Sequence, residues 1–191
     1  MPIKYDSRKK QTYYLHQGTT KTGKPKYFFS MKSEGNLVET MPDGYEIYEN
    51  PNAQVFLRKV QMKIISDEEK ATVELGIKEF SNLSDYQIDI KKDIITVYTA
   101  DQDANLLSDL LSFSGRNDLT EAKTKLRLSI SYSPMLRFIL IDENRRIFTT
   151  QRYCFLGRVD DWIEIGNQGN LQELVENYVR HLGQESFFDL H

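Results

Sequence analysis

The chain has 191 residues, 39% hydrophobic and 28% charged, with a formal net charge of −3. That balance excludes a disordered chain, and a chain of this length can bury a sizeable core without a disulfide or metal staple. A single cysteine, Cys154, excludes an internal disulfide framework.

No apolar run reaches the roughly 18 residues of a membrane helix, and the opening MPIKYDSRKKQTYY lacks the apolar stretch of a signal peptide. The sequence therefore reads as cytoplasmic, without a membrane anchor. Charge is distributed unevenly. Residues 1–32 carry +7, from Lys4, Arg8, Lys9, Lys10, Lys21, Lys24, Lys26 and Lys32 against Asp6, whereas residues 61–120 carry −6. A basic end suits a polyanionic partner, although it could equally attract the acidic middle of the same chain.

In chain order, Gln11–Gln17 and Lys26–Lys32 read as two strands joined by the turn GTTKTGKP, with Gly18, Gly23 and Pro25 as breakers. Tyr45–Glu49 and Ala53–Val60 form a second hairpin around Asn50-Pro51-Asn52. In its return strand Val55 and Leu57 face one way, and Phe56, Arg58 and Val60 the other. Ser66 and Glu69 form a capping box, with Asp67 and Glu68 in the first turn, and predict a helix over 67–80. Tyr86, Ile88 and Ile90 alternate with polar residues, and Ile94–Thr99 returns to complete a third hairpin. Residues 103–113 read as a second helix. Lys123–Tyr132, Met135–Ile141 and Arg145–Tyr153 read as a meander. Asn170 with Glu173 caps a third helix over 171–182, which Gly183 ends.

This order predicts an α+β fold, rich in antiparallel sheet, with hairpins and a meander and about three helices packed on the sheet. It divides into a basic, aromatic β-hairpin module over 1–62 and an α+β body over 63–191. The short join near 60–66 is also compatible with one continuous domain.

The first hairpin carries the strongest functional pattern. Arg8, Lys9, Lys10, Lys21, Lys24 and Lys26 are interleaved with Tyr14, His16 and Tyr27. Cations neutralise phosphates and aromatic faces stack on bases, so these nine residues are the candidate polyanion-binding set. Against this stands the plainer reading of a charged hairpin whose lysines guard a sheet edge. The Gly18-to-Gly23 spacing followed by Lys24 resembles a phosphate loop, but Pro25 replaces the Ser or Thr that would hold magnesium and can donate no N–H.

Asp101, Asp103 and Asn105 open like a calcium loop, but Leu106 and Ser112 stand where Gly and Glu are required. Asp160, Asp161 and Glu164 around Trp162 are the alternative, metal-ligating set; on a strand, the adjacent aspartates point to opposite faces. Cys154, between Tyr153 and Phe155, reads as buried and inert. His16, His181 and His191 lie in no zinc or nucleophile pattern, and no cofactor is implied. The sequence thus favours a non-enzymatic binding protein that contacts nucleic acid through its N-terminal hairpins. A metal-dependent phosphoester hydrolase is one alternative, and an adaptor or inhibitor that binds a protein through the aromatic C-terminal region is the other.

Overall fold

The computed structural model describes residues 1–102, 124, 128–156 and 159–191. The chain divides into two compact units. Unit 1 comprises Met1–Gln61 and Ser108–Ile130; unit 2 comprises Met62–Leu107 and Ser131–His191.

Unit 1 holds a three-stranded antiparallel sheet in the order β1 (Lys4–Asp6), β2 (Thr12–Thr19), β3 (Pro25–Ser30), and a separate ribbon of β4 (Tyr45–Glu49) with β5 (Val55–Lys59). Both expected hairpins are present, with Tyr45–Glu49 as expected and the ends of the other three strands moved by one to two residues. Pro25 stands first in β3, where its missing N–H costs the ladder nothing. Alternation in β5 is as the sequence suggests: Val55 is buried and Phe56 exposed. The strand β1 was not apparent from pattern, because three residues are too few to establish a period.

Unit 2 is a five-stranded antiparallel sheet in the order β10-β9-β8-β7-β6. Its strands are β6 (Tyr86–Lys91), β7 (Ile94–Ala100), β8 (Tyr132–Asp142), β9 (Ile147–Leu156) and β10 (Val159–Asn170). Two α-helices, α1 (Asp67–Phe80) and α2 (Leu171–Tyr178), lie on one face. Short 3-10 turns at Val179–His181 and Glu185–Phe187 follow α2. The buried residues Ile95, Val97, Leu136, Phe138, Phe148 and Ile165 form one core with Val73 and Ile77 of α1 and Leu171, Leu174 and Val175 of α2.

The capping box of α1 is complete: Ser66 accepts from the Glu69 N–H, and Glu69 accepts from the Ser66 N–H at 2.8 Å. Arg146 clamps the same carboxylate, its Nε donating to Glu69 Oε1 at 2.8 Å. Asn170 caps α2 by accepting from the Glu173 N–H at 2.9 Å. Two α-helices therefore stand among the described residues, and the fold is α+β and dominated by antiparallel sheet. The helix expected over 103–113 lies outside the described residues.

One expectation is corrected. Thr124, Leu128 and Ser129 are helical, so the strand expected over Lys123–Tyr132 begins only at Tyr132. Three alternating apolar residues suggest a strand, but one of them, Leu128, loses little side-chain freedom in a helix. The twelve-residue β10 was not assigned from sequence either. Its paired aspartates and its glycines imitate a loop, and its strand character comes from pairing with β9.

Candidate nucleic-acid interface

The β2–β3 hairpin is built around a closed tip. The Thr20 N–H donates to the Lys24 carbonyl at 2.8 Å and the Gly23 N–H to the Thr20 carbonyl at 2.9 Å. The Thr20 hydroxyl accepts from the Lys24 N–H at 3.1 Å. Gly23 has φ +77°, the left-handed conformation that a glycine adopts without strain. This turn fixes the backbone from which Lys21 and Lys24 project, and Lys26 follows on β3. All three lysines are exposed, and among the described residues none has an acidic partner.

Register sorts the aromatic residues. Tyr14 pairs with Ser30, His16 with Phe28 and Gly18 with Lys26, so Tyr14, His16, Phe28 and Lys26 share one face. Leu15 pairs with Phe29 and Gln17 with Tyr27 on the other face, where Leu15 is fully buried. Tyr27 is thus on the face opposite Lys26. His16 is buried, its Nε2 is 2.9 Å from the Lys32 carbonyl, and its ring stacks on Phe28 with centroids 5.5 Å apart and planes 13° apart. Phe28 itself is 42% exposed.

The remaining basic candidates lie at the other end of the sheet. Lys9 and Lys10 occupy the β1–β2 turn, closed by Ser7 N–H to the Gln11 carbonyl and Lys10 N–H to the Ser7 carbonyl. The length of β2 separates the two turns, about 25 Å at a rise of about 3.4 Å per residue. Arg8 is committed within the fold. Its backbone N–H and its Nε both donate to Glu49 Oε1 at 2.9 Å, and its guanidinium donates to the Asn50 carbonyl. Tyr5 donates to Glu49 Oε2 at 2.9 Å. Burial would raise the Glu49 carboxyl, but the hydrogen bonds from Arg8 and Tyr5 outweigh it and hold the group below its ordinary value.

The structure therefore places Lys21, Lys24 and Lys26 at the tip end of the hairpin, with His16 buried on the face of Lys26 and Tyr14 on that same face at the far end, opposite Ser30; Arg8, Lys9 and Lys10 lie at the other turn and Tyr27 on the opposite face. It adds Phe28, which is not among the nine candidates. The signal was present, since Phe28 stands two residues from Lys26 and so shares its face.

In unit 2, Asp160 and Asp161 are consecutive residues of β10, so their side chains leave the strand on opposite faces. Asp161 accepts the Trp162 N–H at 2.7 Å, and Glu164 accepts the Thr149 hydroxyl at 2.8 Å. Among the described residues no three His, Cys, Asp or Glu side chains stand close enough to hold a metal ion. Cys154 is buried. Tyr153 packs against Phe155 and meets the edge of Trp162, with centroids 4.6 and 5.1 Å apart, and the Arg137 guanidinium lies 4.2 Å from the Trp162 ring centroid. No helix among the described residues is long and apolar enough to cross a membrane.

Sheet topology and site together define an α+β protein that carries a basic, aromatic-faced β-hairpin. No protein-family model, no curated protein and no solved structure matches the chain.

Proposed function

We propose that the protein is a binding protein that contacts a polyanion, namely nucleic acid, through the tip of the β2–β3 hairpin. The observation that carries this reading is the group of exposed lysines, Lys21, Lys24 and Lys26, on a rigid turn with no acidic partner among the described residues. A lysine that only balanced the fold's own charge would be expected beside a carboxylate, as Arg8 is beside Glu49. Exposed lysines on a hydrogen-bonded turn can instead displace counterions from phosphates, which supplies affinity that falls as salt rises.

The test is fluorescence anisotropy of labelled oligonucleotides titrated with the protein at several salt concentrations. Three phosphate contacts on a single strand give a slope of log affinity against log salt of about −2, close to a twentyfold loss between 50 and 200 mM. The charge reversal K21E/K24E/K26E should abolish binding while leaving the melting temperature near the wild-type value. Wild-type binding that the triple variant retains would show that the hairpin is not the interface.

A second reading, an adaptor that docks a protein on the Tyr153–Phe155–Trp162 cluster, is favoured by Phe155, which is 52% exposed beside two packed rings. Self-association on size-exclusion chromatography that F155S removes would support it. The hydrolase alternative draws no support from the positions of Asp160, Asp161 and Glu164.

A further inference from the structure

We infer that the hairpin selects single-stranded nucleic acid by stacking an unpaired base on Phe28, an inference that rests on the function proposed above. Phe28 is an unusual residue to leave open. Its large apolar ring is 42% exposed, yet its position is fixed from two sides. The imidazole of His16 lies parallel to it, 5.5 Å between centroids, and is itself held by the Lys32 carbonyl at 2.9 Å. The ring also extends across Gly18, where an added Cβ would stand 3.4 Å from Phe28 Cε1.

Lys26 lies directly across from Gly18 and shares the face of Phe28, and the tip lysines Lys21 and Lys24 lie just beyond. An aromatic face that is already oriented, beside cations at the spacing of one strand, matches a ligand with alternating flat rings and phosphates. Because the ring is fixed before binding, little side-chain freedom remains to be lost on stacking.

The choice of single strand follows from what each polyanion offers. In a duplex the base faces are stacked on one another, and only their edges reach the grooves. A polyphosphate or sulfated polymer carries charge but no aromatic face. Only an unpaired base can lie flat on Phe28, and every base has a face to offer, so the contact is tolerant of sequence.

The experiment compares three probes at one low salt concentration: a labelled single-stranded oligonucleotide, the same strand annealed to its complement, and inorganic polyphosphate as competitor. The single strand should bind about tenfold more tightly than the duplex, and F28L should weaken single-strand binding by about tenfold while leaving duplex and polyphosphate binding unchanged. Leucine keeps apolar bulk at the site and removes the ring. A second arm leaves the protein untouched: a strand carrying abasic positions should bind the wild type as weakly as F28L binds the intact strand. Equal affinity for single strand and duplex, or no loss with either F28L or the abasic strand, overturns the stacking inference and leaves the electrostatic reading standing. Failure of the folded wild type to bind any of the three probes overturns both.

Discussion

Gly76 offers a sharp test of how the helical layer of unit 2 is packed. It lies near the middle of α1, where glycine is about 1 kcal/mol less favourable than alanine. On propensity alone Gly76→Ala should stabilise. The structure predicts the reverse, because a Cβ at this position would stand 2.0 Å from Cγ1 of Val175 in α2. Carbon atoms in contact are about 3.5–4.0 Å apart, so the helices would have to separate, or Val175 to leave its preferred rotamer. Overpacking of this kind costs about 1–3 kcal/mol, and a conflict with a fully buried, β-branched neighbour belongs at the upper end. The net expectation is a loss of about 2 kcal/mol. Val175→Ala should lose about 2 kcal/mol by itself, through the two missing methyl groups and the space they leave. In the double variant, however, the new methyl at 76 would meet Cβ of residue 175 at 3.5 Å and Cδ2 of Phe80 at 3.9 Å, both ordinary contacts. The two losses should then fall well short of additivity, with a coupling of at least about 1 kcal/mol. Urea unfolding followed by the fluorescence of Trp162, the one tryptophan and a residue of unit 2, measures all four proteins. A Gly76→Ala variant as stable as the wild type, or strictly additive losses, would refute the close-approach argument.

Three further outcomes follow from other contacts. Glu49→Gln should lower the melting temperature at neutral pH, and the gap to wild type should close under acid. A carboxyl held below its ordinary value contributes stability above that value and loses it as protons bind, so the two melting curves should converge as pH falls through about 4 and below. A gap independent of pH would mean that the Arg8 and Tyr5 hydrogen bonds do not depend on the charge. Gly166 has φ +63°, and an added Cβ would stand 1.5 Å from the Tyr178 hydroxyl, so Gly166→Ala should cost at least about 2 kcal/mol. Adding Tyr178→Phe should recover only part of this, because the ring Cζ would still be 2.8 Å away and the left-handed backbone strain remains. Arg152 is buried and donates to the carbonyls of Phe188 and Leu190 at 2.9 and 2.7 Å, so Arg152→Met should leave both carbonyls without a buried donor. Amide exchange should then accelerate over 187–190 with little change in β7 and β8; unchanged exchange would show that other contacts hold this segment.

The parts of the fold legible in the sequence are those written within one element. Ser66 and Glu69 mark the start of α1 because both halves of the capping box are local, and the structure forms both. The alternation of Tyr86, Ile88 and Ile90 marks β6 because one of its faces meets the helices. The parts that escaped depend on pairing or packing with another element. Strand β10 is a strand because β9 pairs with it from Phe155 through Thr150, past a register shift between Ile165 and Gly169. The glycine in the middle of α1 reads as a weak point in sequence, and only the approach of α2 explains it.

The same distinction governs the candidate site. Charge was legible, because the excess of lysine over acid in residues 1–32 can be counted, but its usefulness was not. Arg8 counts equally with Lys21 in that sum, and only the 41-residue separation of Arg8 from Glu49 in the chain conceals that they are bonded. Alternation likewise divides the aromatic residues of the hairpin into two sets without saying which set faces outward. Leu15 decides it: its burial carries Phe29 and Tyr27 to the inner face and leaves Phe28 with Lys26 on the outer one. His16 on that outer face is buried as well, so alternation alone does not predict an open ring; Phe28 is 42% exposed because of its place in the fold, and under the proposed function it, rather than Tyr27, is the ring offered beside Lys26.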